Sequence, residues 1–563
     1  MMESSSPHAF WSARTSLRRL ALVALLAVVA LAFADSSIVV LALPDLLRRF
    51  GASIAGASWV VTAYNLSLAV AALVYSRVRT GSLSAARATQ LGALVFFAAS
   101  LGCAVSGSLW LLVGLRVVQG AGAALLVIGA LPLIRSLASS PQRGTALWAG
   151  AGVLGAAVGP ALGGALTELF SWHAIFFAQV PIAVVALVAA LGHLTGSVEP
   201  VSRQRTAAQP RHAASIALGL ASASLVGLLF LAVVQLVDVW RLSPIAAAGV
   251  VSVVPIATFL VQPLAGRVGS SATTGAILIA AGLTGMGFLP ARNVLWVIAA
   301  LAIAGAGVGL LLPGLTQRVL SDAGPSTAGA AHTVWARHAG LVAGILLLTP
   351  LLTTDLNSAA GSAKLRGISV VLDAPVSIAT KTRLAFDVAP VLAQPQRQLP
   401  SFESTLRPRH DPAVTRIGTE LDQTVEATIT RGFRRSYLAA ALLGLLALVP
   451  LAVVRRGAGS RRSPRAAVVA LAVATALIGA ELVRGAQAFG ARPGLPPACV
   501  SRSAALGSGA DAQIQRLALE GLDLVACRFH ENREHLILDG AVWAEKARTR
   551  ISTWANQLRL PFH

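Results

Sequence analysis

Apolar runs of about twenty residues recur along this chain, separated by short polar breaks that carry arginine, glycine and serine. A bilayer core of about 30 Å requires roughly 20 apolar residues per helical crossing. On that rule the pattern predicts thirteen spans, near 19–43, 57–76, 88–108, 110–136, 145–168, 172–192, 213–236, 243–265, 273–290, 293–314, 326–352, 436–454 and 465–483. A polar segment, 193–212, divides the first six from the rest. The pattern therefore predicts an all-α polytopic membrane protein. Its expected parts are a short N-terminus (1–18), a six-helix half (19–192), a central linker (193–212) and a second half (213–454). A basic loop (455–464), an extra helix (465–483) and a polar tail (484–563) follow.

The second half is interrupted by a long polar connection, 353–435. Within it, Ile368–Leu372 and Leu384–Ala389 are short apolar or alternating runs that fit a small β-hairpin. Asp411-Pro412 then supplies an N-cap with proline at the first helical position. Val414, Ile417, Leu421, Val425 and Ile429 follow at helical spacing. This amphipathic helix is expected to run into the twelfth span. Its apolar stripe could pack on the chain itself, on a partner or on an acyl chain.

Composition agrees with the spans. Of 563 residues, 55% are hydrophobic and 12% charged, against about 25% charged in a soluble domain. The net charge of +22 is spread over many loops, so it is not a nucleic-acid footprint. Nearly all of it is arginine; the lysines are Lys364, Lys381 and Lys546. Arginines gather in alternate loops (Arg14, Arg18, Arg19, Arg77, Arg79, Arg87, Arg135, Arg143, Arg203, Arg205, Arg211, Arg267, Arg318, Arg455, Arg456, Arg461, Arg462, Arg465). The short loops of the other set hold Arg48, Arg49, Arg241 and Arg292. The positive-inside rule then puts the N-terminus in the cytoplasm. The first apolar run is too long for a signal peptide's core. If 465–483 crosses, the tail lies outside, and Cys499 and Cys527 can form a disulfide. The spacing of Cys527, His530 and His535 is a weak metal pattern, and no metal is expected.

Ionisable groups inside spans are the best pointers to function. Asp35 lies 16 residues past Arg19, about 24 Å along a helix at 1.5 Å per residue. Such a carboxylate either exchanges a proton, stays charged beside a cation, or sits solvated at the outer interface. Arg116 stays charged and needs partners; Gln119 shares its face. In the eleventh span His332, Trp335 and His338 recur at i, i+3 beside Arg337. They either line a cavity or mark a helix boundary. The segment Gly152 to Gly164, containing Gly155, Gly159, Pro160 and Gly163, suits close helix contact and bending.

These segments together resemble the major facilitator superfamily. Asp35-Ser36-Ser37-Ile38-Val39-Val40-Leu41-Ala42-Leu43-Pro44 is similar to the first-helix motif of its fourteen-span drug:proton antiporter branch. Ser58-Trp59-Val60-Val61-Thr62-Ala63-Tyr64 resembles the opening of the second helix. Arg116-Val117-Val118-Gln119-Gly120-Ala121-Gly122 resembles the fourth-helix motif. Residues 152–164 resemble the antiporter motif of the fifth helix, and Trp172 to Ile182 the start of the sixth. The extra helix pair of that branch is absent. The loops at 76–82 and 266–270 lack the acidic residue that the family carries there. Leu73–Val78 and Pro263–Val268 form a weak internal repeat, consistent with two halves.

The resemblance implies a fold of two six-helix halves and a secondary transporter in the plasma membrane. Its substrate would be a hydrophobic or amphipathic small molecule, exported against protons by multidrug-type efflux. It implies proton-coupling roles for Asp35 and Arg116, and a gating role for Gly152, Gly155, Gly159, Pro160, Gly163 and Gly164. A cavity could draw on Trp59, Tyr64, Asn65, Gln119, His332, Trp335 and Arg337. A lipid or lipoconjugate exporter, and a non-transporting scaffold or sensor, are the alternatives. No phosphate loop or nucleophile motif appears, so no enzyme activity and no cofactor are expected.

Overall fold

The computed structural model describes residues 7–77, 84–191, 212–264, 271–289, 292–323, 327–384, 402, 411–457, 499, 506 and 509–540. Among them eleven helices are long and apolar enough to cross a membrane, and a further apolar helix, Ser271–Gly287, is shorter. At 1.5 Å per residue its 17 residues still reach about 25 Å. The expected extra helix at 465–483 lies outside the described residues. So do the loops at 78–83 and 265–270, with Arg267 of the internal repeat.

The first half comprises α1 (Pro7–Ile38), α2 (Leu43–Phe50), α3 (Ile54–Arg77), α4 (Ala85–Ala104), α5 (Leu109–Leu137), α6 (Pro141–Leu169) and α7 (Trp172–Leu191). A 3-10 turn, Val39–Ala42, joins α1 to α2. The second half comprises α8 (His212–Val233), α9 (Pro244–Val251), α10 (Val253–Val261), α11 (Ser271–Gly287), α12 (Val294–Ala323), α13 (Thr327–Asp373), α14 (Pro412–Gly432), α15 (Arg434–Leu446) and α16 (Leu448–Gly457). Serine starts four of these helices by the same chemistry. Ser84, Ser108, Ser140 and Ser243 sit in extended backbone and accept the N–H three residues on, satisfying a donor that the helix itself cannot.

Small residues bring α6 onto α1. A Cβ on Gly155 would lie 1.8 Å from the Ala30 carbonyl oxygen, and one on Gly163 would lie 1.9 Å from that of Ile38. Gly159, between them, meets Ala34 and Ser37. The spacing of four residues on both helices makes one seam. The second half repeats the device: Gly340 and Gly344 on α13 close onto Gly219 and Ala223 on α8. With no hydrophobic drive between helices in lipid, such close packing holds them together.

The chain divides into two compact units, Met1–Thr354 with Phe433–Val483, and Asp355–Gly432 with Arg484–His563. In the second unit, the first strand of the hairpin expected from 368–372 and 384–389 is corrected: residues 368–372 continue α13 as helix to Asp373, while 385–389 lie outside the described residues. A five-residue run cannot set a strand period against a helix that already runs into it. The amphipathic stripe of α14 is buried within its own unit, with Leu421 against Gly367. A further helix, α17 (Ala510–Arg528), carries Cys527, which is disulfide-bonded to Cys499. Arg533, 1% exposed, is surrounded by Asp373, Asp523 and Glu534. Nearby, burial pushes the Lys381 ammonium below its usual range, with Asp373 working against the shift.

Candidate functional site

Asp35 stands in the last turn of α1, where helix carbonyls begin to lose their own partners. Both it and Arg116 are 0% exposed. The Arg116 Nη1–H donates to Asp35 Oδ2 at 2.5 Å and to Gln119 Oε1 at 2.8 Å. Nη2 donates to the Asp35 carbonyl at 3.0 Å, and Nε to the Val60 carbonyl at 3.0 Å. Gln119 Nε2 donates to Gln179 Oε1 at 2.7 Å, and Gln179 Nε2 returns to Asp35 Oδ1 at 2.7 Å. The four side chains form a closed ring drawn from α1, α5 and α7. Ser100 on α4 accepts from Gln119 at 2.8 Å, and the Tyr64 ring of α3 lies 4.1 Å from the Arg116 guanidinium carbon.

The ring balances its charge and uses both carboxylate oxygens as acceptors. A proton on Asp35 would turn one acceptor into a donor and unpair its partner. The network is closed as it stands, with each carboxylate oxygen held by one donor.

Neighbouring residues of α1 face different helices. Ala34 meets the glycine seam of α6; Asp35 meets α5 and α7. Ser37 donates to the Ala156 carbonyl of α6 at 3.1 Å. Ser36 lies 3.2 Å from His338 Nε2 on α13, in the other half. His338 Nδ1 lies 2.8 Å from the Val334 carbonyl. A carbonyl can only accept, so Nδ1 carries the proton and Nε2 accepts from the Ser36 hydroxyl when the ring is neutral. Phe33 stacks beside His338 and under Arg337.

The halves touch at both ends of this region. At one end a core cluster joins Leu25, Ile134 and Trp148 of the first half to Leu320, Ala330 and Val334 of the second. At the other, Glu168 Oε2 accepts the Ile245 N–H at 2.6 Å, and Gly164 abuts Pro244. Between them lies a cavity lined by Val153, Ala156, Ala157, Leu225, Leu229, Val254, Pro255, Thr258, Val308, Leu312 and Arg337. It holds about 20 Å³, room for a water rather than an organic ligand.

Of the cavity residues expected from sequence, Arg337 lines it. Gln119 belongs to the buried ring, and Tyr64 lies against its arginine. Asn65 donates back to the Val61 carbonyl. Trp59 is 39% exposed, and the His332 and Trp335 rings meet at a tilt, 5.4 Å apart; none of the three lines the cavity. Pro160 lies inside α6 without ending it. Sequence reasoning missed Gln179 and Ser100. Gln179 was visible as a lone amide in the apolar run of α7.

A profile described as Major Facilitator Superfamily matches residues 25–347. Among similar curated proteins, the uncharacterized MFS-type transporter Rv1250 of Mycobacterium tuberculosis is 38% identical over 160 residues, 28% of this chain and 27% of that protein. The tetracenomycin C resistance and export protein of Streptomyces glaucescens is 37% identical over 164 residues, 29% and 30% of the two chains. The multidrug efflux pump LfrA of Mycolicibacterium smegmatis is 36% identical over 180 residues, 31% and 35%. Each match thus spans about a third of the relative's length. Among solved structures, a bacterial homolog of the human lysosomal transporter Spinster, inward-facing and occupied, superposes with a TM-score of 0.50 at 14% identity, covering 80% of this chain and 98% of that one. It shares the fold.

Proposed function

The chain belongs to the Major Facilitator Superfamily, and we propose that it exports hydrophobic or amphipathic small molecules by alternating access, coupled to proton entry. The closed ring of Asp35, Arg116, Gln119 and Gln179 carries this reading. Its carboxylate stands where α1 meets α5, α6, α7 and the opposite half, which supports a role for Asp35 as the site of one exchangeable proton. Relatives named for drug efflux and export support the substrate class. Asp35 accepts the proton. Arg116 then keeps Gln119 and the Val60 carbonyl while its hold on α1 loosens. The α6 seam through Gly152, Gly155, Gly159 and Gly163, with Pro160, lets α1 shift without opening a void; Gly164, against Pro244 of the other half, and the Ser36–His338 contact carry the shift across. Substrate occupies the cavity between the halves when it widens. The arginine-rich loops support a plasma-membrane protein with a cytoplasmic N-terminus.

The lipid-exporter alternative rested on a free apolar stripe on α14. That stripe is already buried, with Leu421 against Gly367, which leaves the small-molecule reading ahead. The test is flux in proteoliposomes holding the full chain, with an imposed pH gradient. Ethidium and pyrenebutyrate serve as cationic and anionic probes. Gradient-driven movement of either, abolished by a protonophore, is expected. Equal flux with and without the gradient would overturn proton coupling, and no flux of any amphipathic probe would overturn export.

A further inference from the structure

Three arginines are buried among the described residues: Arg116, Arg337 and Arg533. The chain compensates two of them. Arg116 has Asp35 and three further acceptors, and Arg533 has three carboxylates. Arg337, 7% exposed, has neither an ion pair nor a hydrogen bond among the described residues. Its guanidinium carbon lies 4.7 Å from the Phe33 ring, and the side chain borders the cavity between the halves.

A guanidinium does not shed its proton to escape burial. A cation–π contact recovers at most about 2 kcal/mol, whereas an unpaired buried ion costs several. The buried carboxylate of α1 is not free to help: Asp35 spends both oxygens on Arg116 and Gln179. The neighbouring His338 presents an acceptor nitrogen, and that acceptor is turned to Ser36. The rest of the cavity wall is aliphatic except for Thr258, whose hydroxyl donates to the Gly305 carbonyl at 2.9 Å. The wall therefore offers one cationic group in an apolar surround and no counter-charge.

Resting on the export reading, we infer that Arg337 is a substrate-binding residue and that the substrate is an amphipathic organic anion: an apolar body with a carboxylate or phosphate group. The anion supplies the missing charge, and the aliphatic wall takes the body. An amphipathic cation would meet a like charge that nothing nearby offsets. A fixed guanidinium in place of a partnered one also leaves the site costly when empty, so binding energy is gained at the moment the anion enters.

The test is equilibrium binding to the purified full-length protein in uncharged detergent. Pyrenebutyrate, pyrenebutanol and pyrenebutylamine share one apolar body and differ in charge. Wild type should bind the carboxylate roughly tenfold tighter than the alcohol, and the amine weakest. Arg337→Gln should level the three, and Arg337→Lys should keep part of the preference. Decyl phosphate, competing with pyrenebutyrate in wild type and not in Arg337→Gln, extends the site to phosphates; failure to compete limits it to carboxylates. Thermal unfolding of each variant separates folding from binding: a structural arginine would lower the unfolding temperature of the empty protein when removed, and a ligand arginine would not. Equal or tighter binding of the amine by wild type, or a preference that survives Arg337→Gln, would overturn the inference. Because binding needs no proton gradient, it can fail while gradient-driven flux stands, and the reverse.

Discussion

The two halves treat buried charge in opposite ways. In the first, Asp35 and Arg116 are locked in a closed ring whose acceptors are filled from α1, α5 and α7. In the second, Arg337 faces the cavity with an aromatic ring and, among the described residues, no acceptor. A satisfied pair can hold a conformation and release it when one proton arrives. An unsatisfied cation adds nothing to the empty fold and is suited to recognition. The contrast separates the proposed coupling from the proposed binding, although one residue pair, Ser36 and His338, joins the two.

The comparison breaks most sharply at Arg116. Arg116→Met leaves Asp35 buried without its cation, a loss of about 3–5 kcal/mol, seen as a large fall in unfolding temperature in detergent. Arg337→Met should move the other way, holding or raising that temperature, because it removes a buried charge with no partner. If both variants fall alike, the halves do not differ as described.

The glycine seam gives the next effect. Gly155→Ala drives a Cβ toward the Ala30 carbonyl and should cost about 1–3 kcal/mol by overpacking. Gly150 is on the same helix with nothing within 4 Å of its Cβ position, so Gly150→Ala should be neutral or gain up to about 1 kcal/mol. Thermal unfolding of the pair isolates the seam from helix propensity. The smallest effect belongs to the bridge between halves. Ser36→Ala removes one neutral buried hydrogen bond, about 1 kcal/mol. It should slow exchange between the inner and outer arrangements, followed by distance measurements between labels on the two halves, more than it changes stability.

Much of this was legible in the sequence, for physical reasons. Bilayer thickness fixes the length of an apolar run, so the crossings stand out. A charge inside such a run is costly, so Asp35, Arg116 and Arg337 stand out as well. Their partners do not. Gln179 is 144 residues from Asp35, and only the rotation of α7 decides that its amide points inward. The seam between α1 and α6 was visible on α6 as spaced glycines, while its other side is alanine and isoleucine backbone that no pattern marks. Outside the apolar runs the length rule lapses. There Ile368–Leu372 suggested a strand, and α13 continued through it to Asp373.

The account turns on Asp35 as the exchangeable site. The most direct measurement compares Asp35→Asn with wild type in proteoliposomes by two assays on the same preparation: substrate counterflow without a pH gradient, and uptake driven by one. Asparagine keeps the shape and one acceptor but cannot exchange a proton. The account predicts that the variant retains counterflow and loses gradient-driven uptake. Gradient-driven uptake that persists in Asp35→Asn would contradict it.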